Sequence, residues 1–259
     1  MTITITNEDA FFSFLTLNNY SKSTLNIAKD ALDCLKKFSI TGKLEDYRMY
    51  LTSRFSPSTT NLYIYVANKY LNYSGIDYKI KGVPNHNSKV LEKVISVRDY
   101  KKLKDFLKDK NLEMYLVVIT LACTGMRPSE LYKISINDVN RGYADIYSKR
   151  NKQRRIYFPK SLQKEILNYK VGVKGKIFTF KMYQLRYALE LGTKLGIDKE
   201  VLHPYSFRHF FGKNFLKNNK DLTLLADLMG HESLETTRIY TRLTKEEQMK
   251  EVNKYVDWI

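Results

Sequence analysis

Apolar residues recur at three- and four-residue steps through most of the chain, a period that predicts helices. In "SKSTLNIAKDALDCLKKF", Leu25, Ala28, Leu32 and Leu35 fall on one face, behind an N-cap candidate at Ser21 or Ser23. "TGKLEDYRMYLTSRF" predicts a second, short helix. "SPSTTNLYIYVANKYLNYSGI" opens on cap signals at Ser56 and Pro57, sets Leu62, Val66 and Tyr70 on one face, and stops at Gly75. "LEMYLVVITLACTG" is apolar enough for a buried helix ending near Gly125. Later, Phe207, Phe211 and Phe215 fall at four-residue steps, and Leu222, Leu225 and Met229 share a face behind Asp221 as N-cap candidate. Two short β-favouring runs, "YADIY" and "RIYF", flank a very basic turn and predict a hairpin.

Between the first helices and the rest lies "KIKGVPNHNSKVLEKV", which carries Gly82, Pro84, Asn85 and Asn87 and almost no aromatics. It reads as an exposed linker. The fold expected is therefore mainly α: an N-terminal helical domain over 1–80, a linker over 81–90, and a mixed, mostly helical domain over 91–259 with a small antiparallel β-sheet. No internal repeat or low-complexity segment interrupts it.

Charge adds a partner. Lys and Arg number 44 against 27 Asp and Glu, a formal charge of +17 spread along the sequence. Such an excess favours a polyanion, because cations near phosphates release condensed counterions. Lys22, Lys29, Arg54 and Lys69 lie among polar positions where they either meet phosphates or form a solvated face. The two cysteines, Cys34 and Cys123, sit in apolar runs, which suits buried free thiols in a reducing compartment. The N-terminus shows no signal-peptide pattern and no apolar run approaches a membrane span, so the expected location is cytoplasmic, with no membrane contact.

Among chemical motifs, a Walker loop, a GxGxxG after a strand and a paired-histidine zinc motif are all missing, and the acidic residues form no convincing metal cluster. Phosphate chemistry without metal or cofactor needs cationic side chains to stabilise the transition state. Arg127 follows the Gly125 break in "TGMRPSEL", with Glu130 three residues on to orient it. Lys149 and Lys152 share the hairpin turn "SKRNKQRR"; a lysine there can protonate a leaving oxygen. Arg208 lies in "HPYSFRHFF". In "LMGHESLETTRIY", His231 follows a helix stop at Gly230, and Tyr240 comes nine residues after it.

In order and spacing this set resembles the tyrosine recombinase family of phage integrases and Xer-type proteins, strongly over about residues 90–259. The N-terminal part is similar to that family's core-binding (SAM-like) domain in length and pattern. The resemblance implies that 91–259 is a catalytic domain in which Tyr240 attacks the scissile phosphate. The product would be a 3′-phosphotyrosyl link and a free 5′-hydroxyl. Arg127 and Arg208 would hold the non-bridging oxygens, His231 would donate to the phosphate, and Lys149, preferred over Lys152, would be the general acid. The family usually carries histidine three residues before the second arginine; here that position is Tyr205, which cannot carry imidazolium charge. The identity of the general base is thereby open. His203 and His209 flank the motif and read either as structural residues or as supports behind the site, with His209 pointing elsewhere.

The resemblance also implies partners: double-stranded DNA core sites, gripped by two domains closing across the linker, and a homo-tetramer on DNA, monomeric when free. "TRLTKEEQMKEVNKYVDWI" would form a C-terminal helix that either packs on its own domain or is exchanged between protomers. The shortness of the segment before the first helix suits recombinases without an arm-binding domain. The expected role is integration or excision of a mobile element, or Xer-like dimer resolution. A catalytically weakened DNA-binding protein on the same scaffold and a type IB topoisomerase-like enzyme are the alternatives.

Overall fold

The computed structural model describes residues 4–84, 94–147, 153–231, 233–241 and 249. The chain divides into two compact units, Met1–Ser88 and Lys89–Ile259. Most of the predicted linker (85–90), both hairpin lysines (Lys149 and Lys152) and nearly all of the predicted C-terminal helix lie outside the described residues.

The first unit is helical: α1 (Glu8–Leu17), α2 (Lys22–Ser39), α3 (Tyr47–Thr52) and α4 (Pro57–Tyr73). Ser21 and Ser56 cap α2 and α4, each accepting from the backbone N–H three residues on. Ala28, Leu32 and Leu35 are buried as their spacing predicts, around Phe11, Tyr47 and Tyr70. The face assigned to α4 is shifted. Val66 and Tyr70 are buried, but Leu62 is 42 % exposed and Ile64, Ala67 and Leu71 pack inward instead. Two stripes compete on an aromatic-rich helix, and packing against α2 decides between them. Cys34 and Cys123 are free and only half-buried, so the expectation of buried thiols is corrected.

In the second unit, α5 (Val97–Lys110) and α6 (Leu112–Thr124) precede a 3-10 turn over Pro128–Lys133 and α7 (Ile136–Arg141). Strands β1 (Tyr143–Tyr147) and β2 (Gln153–Tyr157) follow, then α8 (Lys160–Tyr169), α9 (Met182–Glu190), α10 (Pro204–Asn218), α11 (Leu222–Met229) and α12 (Leu234–Thr237). The strands pair antiparallel, with Ala144 opposite Ile156 and Ile146 opposite Arg154. The mainly α fold with one small antiparallel sheet is thus the one the periodicities predict.

Helix α6 is the central element of this unit. Residues Met114 to Ala122 are all buried along it, which its lack of a polar face requires. Each large side chain so buried contributes about 1.5–3 kcal/mol. Gly125 ends it at φ 62°, and α10 packs alongside. The excess charge is less evenly spread than the whole-chain reading implied. The first unit carries ten Lys and Arg against seven Asp and Glu, the second 34 against 20.

Candidate active site

Two left-handed glycine turns frame the site. Gly125 closes α6 and Gly230, at φ 61°, closes α11. Such turns satisfy carbonyls one turn back and leave those at the very end of the helix and in the turn itself with no intrahelical partner. Guanidinium groups take them here. Arg208, buried within α10 at 3 % exposure, donates from Nη1 to the Gly125 carbonyl (2.6 Å) and from Nη2 to the Met229 carbonyl (2.6 Å). Arg127 stands two residues past the first turn and donates from Nη2 to the Gly230 carbonyl at 2.8 Å. Both arginines predicted from sequence therefore meet at one junction, each tied to the turn that ends α11.

Glu130 organises the arginines, as the spacing in "TGMRPSEL" suggested. Its carboxylate accepts from the Arg127 backbone N–H (2.7 Å) and from Arg127 Nη1 (3.2 Å). It also binds Arg154 Nη2, a contact absent from the sequence reading. Arg154 lies on the inward face of β2 and donates from Nη1 to the Leu228 carbonyl at 2.6 Å, while its Nε is buried without a partner among the described residues. A period-2 signal was available: Arg154 shares its strand face with buried Ile156, so a charge there needs a partner. Two guanidinium groups thus pair with one interior carboxylate, and among the described residues Asp227, exposed, is the other acid lining the cavity. The cavity is about 700 Å³, and Arg127, Arg154, Arg155 and His231 line it. Burial, with Arg127 and Arg154 nearby, lowers the Arg208 guanidinium to about 10.

From Gly230 the chain runs through α12 to a 3-10 turn, Arg238–Tyr240. Buried Thr237 shares a hydrogen bond with His231 Nδ1 at 2.8 Å, which fixes the imidazole against the segment that follows it. Tyr240 comes to rest with its ring parallel to His231, centroids 6.2 Å apart. It is 7 % exposed and packs with Leu225, Met229, Phe211 and Phe215. Gly212 of α10 makes room, since a Cβ there would lie 2.8 Å from the Tyr240 ring. Burial pushes the Tyr240 phenol up to about 12, partly offset by Arg208. Burial, aided by Arg208 and Arg127, depresses His231 to about 4, so it is neutral around pH 7.

Arg127, Arg208, His231 and Tyr240 are therefore brought together. Tyr205 is not: it is 49 % exposed at the start of α10, and no hydrogen bond or ring contact links it to the others. Lys149 falls outside the described residues. His203 is structural, its Nδ1 accepting from the Ser206 N–H as the α10 N-cap. His209 corrects the expectation that it points elsewhere, because its Nδ1 lies 3.0 Å from the Tyr240 hydroxyl. That contact joins residues 31 apart through tertiary packing, which helical period alone does not reveal. Among the described residues, no group of three or more His, Cys, Asp or Glu side chains is placed to hold a metal ion.

Comparison with known proteins places these features in a group. The model of a family described as the phage integrase family matches residues 93–247. The tyrosine recombinase XerA of Pyrococcus furiosus is 28 % identical over 269 residues, spanning 91 % of this chain and 89 % of its own. A XerH site-specific recombinase in a post-cleavage complex with a palindromic difH substrate aligns with TM-score 0.70 at 19 % identity, covering 100 % of this chain and 91 % of that one. A lambda integrase dimer bound to a COC′ core site aligns with TM-score 0.73 at 14 % identity, covering 90 % and 93 %. At these identities the two structures are alike in fold.

Proposed function

The chain belongs to the phage integrase family, and from that premise we propose that it is a site-specific DNA recombinase that cuts and rejoins duplex DNA through a covalent bond between Tyr240 and a 3′-phosphate. The convergence of Arg127, Arg208 and His231 on one junction, with Tyr240 held beside it, carries the assignment.

Each arginine has five N–H donors, and two on each are spent on the protein's own acceptors. The remaining donors suit the non-bridging oxygens of a phosphodiester, whose charge grows in the pentacoordinate transition state. His231, neutral and fixed at Nδ1 by Thr237, has its other nitrogen for the same phosphate. Lys149 on the hairpin turn protonates the departing 5′-oxygen, with Lys152 the alternative on that turn. The units take the roles of core-binding (1–80) and catalytic (91–259) domains, joined by the linker at 81–90. Protein monomers assemble as tetramers on paired core sites, with the C-terminal segment exchanged between protomers. A second reading, a DNA-binding protein with weakened cleavage, is favoured by Tyr205 alone, exposed where the family carries histidine.

The test is covalent capture. The protein is incubated in EDTA with fragmented, nicked DNA from its source organism, and SDS-resistant complexes are recovered and sequenced. The expected result is an adduct at one recurring sequence that disappears in Tyr240→Phe. Adducts that persist in Tyr240→Phe overturn the assignment of the nucleophile. DNA binding without any adduct supports the second reading.

A further inference from the structure

A phenol that attacks phosphorus must lose its proton, and Tyr205, where the family carries histidine, makes no contact with it. Tyr205 is half exposed and unlinked to Tyr240. Among the described residues, the one hydrogen-bond partner of the Tyr240 hydroxyl is the Nδ1 of His209, at 3.0 Å. From this geometry we propose that His209 is a catalytic residue, the general base that accepts the Tyr240 proton and fills the role left open by Tyr205. This rests on the reading of Tyr240 as the nucleophile.

Three observations support it. The distance is already within the range for direct proton transfer, about 2.6–3.2 Å. The imidazole is half-buried on α10 one residue after Arg208, so the helix that supplies an arginine to the phosphate also supplies the base. Gly212, one turn further along α10, lets the tyrosine ring lie directly against that helix. Among the described residues, the charged and titratable groups facing the imidazole are Arg208 on its own helix, His203 at that helix's N-cap, Tyr240, and His231 across the tyrosine ring. Burial, reinforced by His203 and Arg208, lowers His209 to about 4, so it is unprotonated and able to accept at pH 7.

So weak a base does not deprotonate a resting phenol to any extent. It acts during attack, because forming the O–P bond makes the phenolic proton far more acidic. The negative phosphorane then stabilises the imidazolium that Arg208 disfavours in the free protein. The Tyr240 oxygen bonds to phosphorus, its proton passes to His209 Nδ1, the P–O5′ bond breaks, and the 5′-oxygen takes its proton from the general acid. Religation returns the proton from His209 to Tyr240.

The test measures adduct formation against pH on a nicked duplex carrying the sequence recovered by covalent capture. With His209 as base, the rate of the unsubstituted protein is level between about pH 7 and 8.5, because the base is already free. His209→Gln slows adduct formation by about 10²-fold or more at pH 7. Its residual rate climbs about tenfold per pH unit, following the rare phenolate. A fluorotyrosine of lower pKa at position 240 restores the His209→Gln rate more than it speeds the unsubstituted protein. An unsubstituted rate that itself climbs tenfold per unit overturns the proposal without any variant. So does a His209→Gln protein that cleaves at the unsubstituted rate, or faster because the bond merely restrained the tyrosine. No adduct from the unsubstituted protein removes the nucleophile assignment and this proposal with it.

Discussion

At the residue scale Glu130 holds the arginines together. Burial alone would raise its carboxyl, but Arg154, the Arg127 backbone N–H and the Arg127 side chain outweigh burial and hold it below the usual range. Its stabilisation is present above the unfolded carboxyl value of about 4.3 and is lost as pH falls through the lower folded value. Removing the charge leaves Arg154, 11 % exposed, without its counterion. Glu130→Gln is therefore expected to cost about 3–5 kcal/mol, read as a lowered denaturant midpoint. The histidines act over a higher range. His209 and His231 are depressed from 6.5 to about 4, so the folded state stays neutral where the unfolded chain takes up protons. Stability is then full above pH 6.5 and declines as pH falls toward 4. The expected outcome is a shallower decline in His209→Gln than in the unsubstituted protein, by up to one proton in the slope. At this scale the sequence was uneven. Arg127, Arg208, His231 and Tyr240 were legible because local motifs carry them. Arg154 was missed, and His209 was named but misplaced, because their partners come from distant segments.

At the element scale, glycines set where helices stop and how closely they approach. Gly125 and Gly230 were readable as helix stops, and both adopt the left-handed conformation. A Cβ at Gly125 would also lie 2.3 Å from the Phe211 ring. Gly125→Ala is expected to destabilise by more than about 1 kcal/mol, since the backbone strain adds to the clash. Gly212 lies in the interior of α10, where alanine would ordinarily gain about 1 kcal/mol. Here the Tyr240 ring occupies the space. Gly212→Ala is expected to lower the melting temperature rather than raise it, and to lose adduct formation while DNA binding persists. On helices the caps at Ser21, Ser56 and Asp221 were legible because they depend on neighbours three residues away. The face of α4 was not, because aromatic residues surround that helix and only its packing selects Ile64, Ala67 and Leu71 over Leu62.

At the scale of the whole molecule, charge directs binding. The second unit holds most of the excess, 34 Lys and Arg against 20 Asp and Glu, and the first has ten against seven. Affinity for duplex DNA is expected to fall linearly on a log–log plot against salt concentration, with a slope set by the phosphates neutralised. Filter binding across a salt series measures it, and a flat line would rule out a phosphate-dominated interface. In the sequence a polar stretch with glycine and proline separates two apolar patterns, which is a change in composition. The bonds that assemble the site have a different reach. Arg208 joins a carbonyl 83 residues before it, Arg127 one 103 residues after it, and Arg154 one 74 residues after it. Such contacts form late in folding, since long loops must close first. During synthesis Arg127 and Arg154 emerge well before the α11 turn that aims them, and Arg208 emerges 21 residues before its partner there. A nascent or truncated chain therefore has the cations to hold DNA but not the geometry to cut it, and the capacity to break a genome appears only with the last part of the fold.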